Sequence, residues 1–185
     1  MEILSSEALL ISWIKEDALR MRALELAASL NLPDHYIAAG FVRNLIWDKL
    51  HHFTQLSELN DIDLIYFDDS QYSKMHDDQL SLALKKVLPL NWSVKNQARM
   101  HLRNQDKPYS SSIDAMRYWP EIETAIGVRL NQQGLLEVAT PFDLKGMFDL
   151  NITINSFRAK PDTFRRRIND KRWLERWSKL TVIQC

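Results

Sequence analysis

Two aspartates one residue apart, at the head of an apolar run, constrain this chain more than any other feature: Asn60-Asp61-Ile62-Asp63-Leu64-Ile65-Tyr66-Phe67. On a strand, residues two apart face the same way. Asp61 and Asp63 then share one face, while Ile62, Leu64 and Tyr66 point to the other. Adjacent carboxylates repel, a cost that a cation between them removes. Mg²⁺ suits such a place, because it takes hard oxygen ligands and keeps waters or phosphates as the remainder. Upstream, Ala39-Gly40-Phe41-Val42-Arg43-Asn44 reads as a strand end, a small-residue turn and the start of a helix.

The bulk of the chain bounds the rest. Its 185 residues suit one domain, 1–185, with room for a core. Lys plus Arg and Asp plus Glu balance to a net charge of zero, so attraction to polyanions must come from a local patch. The single cysteine, Cys185, forms no disulfide within the chain and fits a reducing, cytoplasmic setting. No apolar run approaches the ~18 residues of a membrane span, so no membrane partner is expected.

In chain order, residues 6–30 read as one helix, capped by Ser5 or Ser6 and closed before Pro33. Tyr36–Ala39 is a short strand and Phe41–His51 a helix with Val42, Leu45, Ile46 and Leu50 inward. Residues 72–88 form a helix, with Met75, Leu80, Leu82, Leu84 and Val87 as its apolar set and His76, Asp77 and Asp78 on its wet side. Trp92–Arg103 alternates as a strand, placing Lys95, Gln97, Arg99, His101 and Arg103 on one face. That face is either exposed sheet or a wall that neutralises phosphates. Ile126–Leu130 and Leu135–Ala139 form a hairpin across Asn131-Gln132-Gln133-Gly134. Thr140 and Pro141 start another helix, and residues from Pro161 form two helices broken near Asn169 and Asp170. Arg165, Arg166, Arg167, Lys171 and Arg172 cluster at that break, as a solvated face or as a lid over phosphates.

The Gly40-to-Arg43 turn, the Asn60–Asp63 strand entry, the Asn96-Gln97-Ala98-Arg99-Met100-His101 segment and the pair Lys171 and Trp173 together resemble the polymerase-β-like nucleotidyltransferase superfamily. Within it, residues 36–180 are similar to a small bacterial nucleotidyltransferase-like family. The tRNA nucleotidyltransferase branch carries a Gly-Gly turn, where this chain has Ala39-Gly40.

The resemblance implies an α/β (α+β) fold, a small mixed sheet with helices mainly on one face and the acids on the other. It implies transfer of a nucleoside monophosphate from a nucleoside triphosphate to an acceptor that is a small molecule, a protein or RNA. It further implies two Mg²⁺ (or Mn²⁺) ions about 3.5–4 Å apart, held by Asp61 and Asp63. The third ligand and catalytic carboxylate would come from the hairpin as Glu137, unless Glu137 is engaged by Arg129. Gly40, Arg43, Lys95 and Arg99 would bind the triphosphate. Two rival readings keep the fold without the chemistry: a decayed nucleotide-binding module, and an antitoxin-like or structural partner protein.

Overall fold

The computed structural model describes residues 5–184; Cys185 lies outside them. Helix α1 (Ser6–Lys15) is capped by Ser5, whose hydroxyl accepts from the Ala8 N–H. Helix α2 (Ala18–Ser29) follows after a break that the sequence reading did not anticipate. One straight helix over residues 6–30 would be about 37 Å long, far longer than strands of three to five residues. Asp17 ends the conflict: its carboxylate accepts from the Arg20 N–H at 3.0 Å and starts a second helix. Both pieces then lie on the sheet, burying Leu10 and Ile14 from one and Ala23, Leu24 and Ala27 from the other.

Strand β1 (Tyr36–Ala38) leads into helix α3 (Gly40–Leu50). A loop then reaches strand β2 (Ile62–Tyr66), and helix α4 (Lys74–Val87) crosses over to strand β3 (Trp92–Asn96), parallel to β2. The short helices α5 (Met100–Asn104) and α6 (Ser112–Met116) precede the hairpin of β4 (Gly127–Leu130) and β5 (Leu136–Ala139). The sheet order is β3-β2-β1-β4-β5, antiparallel except at β2–β3. One face carries Ile37, Leu64, Tyr66, Val94 and Val128 into a core with α1 to α4. This is the expected mixed sheet with its main helical layer on one side.

Three expectations fail on this face and beside it. Strand β3 stops at Asn96, because that side chain accepts from the Ala98 N–H at 3.0 Å and the Asp68 N–H at 3.1 Å. Residues after it turn into helix, so alternation ends there. Asp77 is buried rather than wet, accepting from the Tyr66 hydroxyl at 2.7 Å and the Asn96 N–H at 3.0 Å. With Asp77 and Leu84 turned inward, Met75, Leu82 and Val87 point outward, each at least 60% exposed. The helix expected at Thr140 begins later, as α7 (Lys145–Phe148).

The C-terminal part builds a second small core. Strand β6 (Asn151–Thr153) pairs in parallel with β7 (Thr181–Ile183). Between them lie α8 (Pro161–Asp170) and α9 (Trp173–Arg176), broken as expected, with Arg172 left-handed at φ 51°. Phe164, Ile168, Trp173, Trp177 and Leu180 pack around Trp47 of α3.

The turn between β1 and α3 holds an unusual backbone. Ala39 has φ 58° and ψ −122°, a region that glycine tolerates and a Cβ resists. The surroundings hold it there: its N–H donates to the Ile126 carbonyl at 2.9 Å, and its carbonyl accepts from the Arg43 N–H at 3.0 Å. Ala39→Gly should therefore stabilise the protein by about 1 kcal/mol, read as a higher midpoint in denaturant unfolding. A lower midpoint would show that the Ala39 methyl contributes more by packing than its backbone costs.

Candidate active site

Asp63 lies on the sheet face opposite the main helical layer, in a row with Ser93, Ala38 and Gly127. It lines a cleft of about 190 Å³ together with Asp61, Gly40, Arg43, Asn44 and Lys171. Asp61 stands just before β2, with one oxygen accepting from the Asn91 amide at 2.6 Å and the other 3.7 Å from the Lys171 ammonium. Asp63 is half-buried and accepts no hydrogen bond among the described residues. Withdrawal from water, and then the neighbouring charge of Asp61, raise its pKa above the usual carboxylate value. Arg43, Lys171 and Arg167 act in the opposite sense without cancelling this.

Helix α3 ends in this cleft at its N-terminus, and no side chain caps it. Gly40 leaves the approach open: a Cβ there would sit 3.5 Å from the Arg43 guanidinium and the Asn44 amide, so the fold has room for it while the cleft would lose space. Arg43 is buried and fixed rather than reaching outward. It donates to the Thr124 hydroxyl at 2.6 Å and to the Asn44 amide oxygen, and it lies over the Trp173 ring at 4.4 Å and the Trp47 ring at 4.9 Å. Burial pulls its pKa down to about 10, so it stays cationic at neutral pH. Arg43 makes no pair with Asp48, further along the same helix; Asp48 accepts from Ser57 and from the Trp177 indole.

Two sequence expectations are corrected here. Glu137 does not join the aspartates. It faces Arg129 across the hairpin, accepting from its Nε at 2.7 Å and from the Asn131 amide at 2.9 Å. These donors hold its carboxyl below the usual range. Three inter-strand steps and two residues along β5 separate it from Asp63, so their Cα atoms are about 16 Å apart. Arg99 also lies elsewhere. Its guanidinium pairs with buried Asp77, because the chain leaves the sheet at Asn96 and turns Arg99 toward α4. Lys95, still within β3, does border Asp63, in a second cleft on the other side of it.

The sequence reading overlooked the segment around Glu121, Glu123 and Thr124. Thr124 anchors Arg43, and buried Glu121 accepts from Arg167 at 2.7 Å, fixing that arginine between the two clefts. No motif marks this segment; alternating acids and apolar residues in a short loop look like ordinary surface.

The donor set can be tested against a divalent cation. Asp63 offers a carboxylate with no other partner, and Asp61 one further oxygen facing only a distant lysine, which suits a hard cation that fills its shell with water and phosphate. Among the described residues no group of three or more His, Cys, Asp or Glu is placed to hold a metal. Two carboxylates therefore fit, and a third is not supplied.

A family model described as nucleotidyltransferase matches residues 25–182. An NMR structure described as a CCA-adding enzyme head domain superimposes with a TM-score of 0.84, at 30% identity over 95% of each chain. A CCA-adding enzyme in complex with CTP has a TM-score of 0.60 at 16% identity, covering all of this chain and 44% of that one. The Thermotoga maritima CCA-adding enzyme complexed with tRNA gives 0.59 at 16% identity, again over 44% of its length. The chain thus spans less than half of those enzymes, whose likeness at this identity is one of fold. A search of curated proteins returns no match.

Asp63→Asn should raise the melting temperature in the absence of metal at pH values above the raised pKa of Asp63, because it removes a charge that burial and Asp61 disfavour. The sign follows from the raised pKa: the cost of ionised Asp63 is absent below the ordinary value near 3.8 and complete above the raised one. Mg²⁺ should stabilise the wild type and leave the variant unmoved. A destabilised variant, with a wild type indifferent to Mg²⁺, would assign Asp63 a structural role. Glu137→Gln should leave Mg²⁺-dependent stabilisation unchanged in the same melts.

Proposed function

We propose that this chain, which belongs to the nucleotidyltransferase family, transfers a nucleoside monophosphate from a nucleoside triphosphate to an acceptor hydroxyl. One observation carries the reading: the carboxylate of Asp63, without a hydrogen-bond partner among the described residues, stands beside Asp61 in a cleft walled by the uncapped start of a helix. The two carboxylates call for a cation, and the helix N-terminus calls for an anion. A triphosphate with its divalent metal meets both demands.

The cleft of about 190 Å³ is below the range of about 300–1,000 Å³ usual for a whole small ligand. It accordingly takes the phosphate end of the nucleotide. Gly40 lets the phosphates approach the first N–H groups of α3. Arg43 supplies a fixed positive charge at the floor, and Lys171 an exposed one at the rim. Asp61 and Asp63 would hold Mg²⁺ or Mn²⁺, which supplies Lewis-acid polarisation of the phosphates. The acceptor oxygen bonds to the α-phosphorus as the bond to pyrophosphate breaks, and the acceptor proton leaves to water. Preorganised charge is the main contribution expected of the protein.

A second reading has its own observation: a third carboxylate is missing from the site among the described residues. A module that binds nucleotide without transferring it would look the same. Labelled nucleoside triphosphates with Mg²⁺ or Mn²⁺, incubated with cell extract as acceptor source, separate the two. Pyrophosphate release and label transfer are expected, with Asp61→Asn and Asp63→Asn each slower by at least about tenfold, or 1.4 kcal/mol. Gly40→Ala should fold normally and weaken nucleotide binding. Saturable binding without pyrophosphate release would support the decayed module.

A further inference from the structure

The two edges of the five-stranded sheet differ. At β3 the chain closes its own edge. The Val94 N–H donates to the Ser81 hydroxyl and the Asn96 N–H to the Asp77 carboxylate, both at 3.0 Å, and the Trp92 N–H donates to the Leu90 carbonyl at 3.1 Å. Ser81 and Asp77 belong to α4, which thereby covers that side. An open edge is a template for a further strand, and covering it is a usual protection. Strand β5, at the opposite edge, has no such cover among the described residues.

The register shows which groups of β5 face outward. The Asn131 N–H donates to the Leu135 carbonyl at 2.9 Å, so that opposed pair is hydrogen-bonded, and bonded pairs alternate along an antiparallel ladder. Glu137 and Ala139 therefore bond inward to Arg129 and Gly127, while Leu136 and Val138 turn their N–H and C=O groups outward. None of these outward groups has a partner among the described residues. Both side chains pack on the main core, which fixes the strand. Other edge protections are missing too. The register is unbroken by a bulge, β5 contains no proline, and its one charge, Glu137, is taken by Arg129. A groove of about 550 Å³ runs beside the strand, walled by Leu136, Val138 and Leu144 and by Tyr36, Ile113 and Phe142. Its charge is one-sided: Glu7, Glu137 and Asp143 line it, and no Lys or Arg does. Glu7 and Asp143 are exposed and make no ion pair among the described residues.

We propose that the outer edge of β5 binds an extended segment of a partner protein as a sixth strand, with lysine or arginine alternating with branched apolar residues. The backbone of that segment pairs with Leu136 and Val138, its apolar side chains enter the groove, and its cations meet Glu7 and Asp143. Charge decides the occupant. A second copy of this chain would bring two sets of Glu7 and Asp143 to one seam with no base to offset them. The surface lies at the edge remote from β2 and its aspartates, so the inference is independent of the transfer reading.

Fluorescence anisotropy of a labelled peptide of about six residues, alternating valine and lysine, tests this on the full chain. The peptide should bind saturably, at least about tenfold more tightly than its valine–glutamate counterpart. Val138→Pro removes an outward N–H and leaves the bonds to β4, a change that an edge strand tolerates. It should weaken peptide binding at least about tenfold. The double variant Glu7→Gln/Asp143→Asn leaves the backbone alone, and should lower the affinity and flatten its dependence on salt. Cooperative thermal melts show which variants are folded; should Val138→Pro not fold, the charge variant decides. Absent peptide binding, or binding that either folded variant leaves unchanged, would overturn the proposal. So would a dimer in sedimentation velocity that Val138→Pro dissociates, since it would give the edge to a second copy.

Discussion

The buried carboxylate of Asp48 ties together the three segments on which the candidate site depends. It sits on α3, accepts from the Ser57 N–H and hydroxyl, both at 2.7 Å, and accepts from the Trp177 indole at 2.8 Å. Ser57 fixes the loop that delivers Asp61, and Trp177 fixes the segment that delivers Lys171 and Arg167. A buried carboxylate is tolerable when its lone pairs are used, and here two donors come from Ser57 in the loop before β2 and one from Trp177 in the C-terminal core. Trp47, one residue earlier, makes the same junction apolar by packing edge-on to Trp173 and Trp177. Arg43 then lies against two of these rings. The fixed positive floor of the cleft is thus a consequence of how the C-terminal core closes on α3.

Against that firm frame, the residues nearest the proposed chemistry are placed at some cost. Ala39 occupies a backbone region suited to glycine, and Asp63 is held where its charge is disfavoured. Local costs of this kind persist when the surrounding structure determines them, and they concentrate where ligands bind. Both costs fall on one turn and one strand row, since Ala38 pairs with Asp63. A cation at the aspartates offsets the second cost, and phosphates at the start of α3 meet its unsatisfied N–H groups.

Much of this was legible in the sequence because the signals were local. The two-residue spacing of Asp61 and Asp63 was enough to separate them from Ile62 and Leu64, and the small-residue turn at Gly40 was enough to place Arg43 one turn into a helix. The break between α8 and α9 followed from a shift in the apolar stripe. What failed was non-local. Glu137 was assigned to the site on the pattern of a hairpin after the Asp-x-Asp strand, but sheet order puts β5 at the far edge, where Arg129 is the nearer partner. Arg99 fitted a period of two that Asn96 ends by bonding backbone groups from Asp68 and Ala98. Asp77 looked solvated because the Tyr66 hydroxyl and Arg99 reach it from other elements. Glu121 carried no pattern at all, and its importance appears only once Arg167 folds over it.

The central claim is that Asp61 and Asp63 together form a divalent-cation site. Electron paramagnetic resonance of Mn²⁺ titrated into the protein with a non-hydrolysable nucleoside triphosphate tests it without requiring an acceptor. The account predicts saturable loss of the free Mn²⁺ signal in the wild type, in excess of that caused by nucleotide alone. It also predicts that this excess vanishes when Asp61 and Asp63 are both changed to Asn. An identical titration for the wild type and the double variant would contradict it.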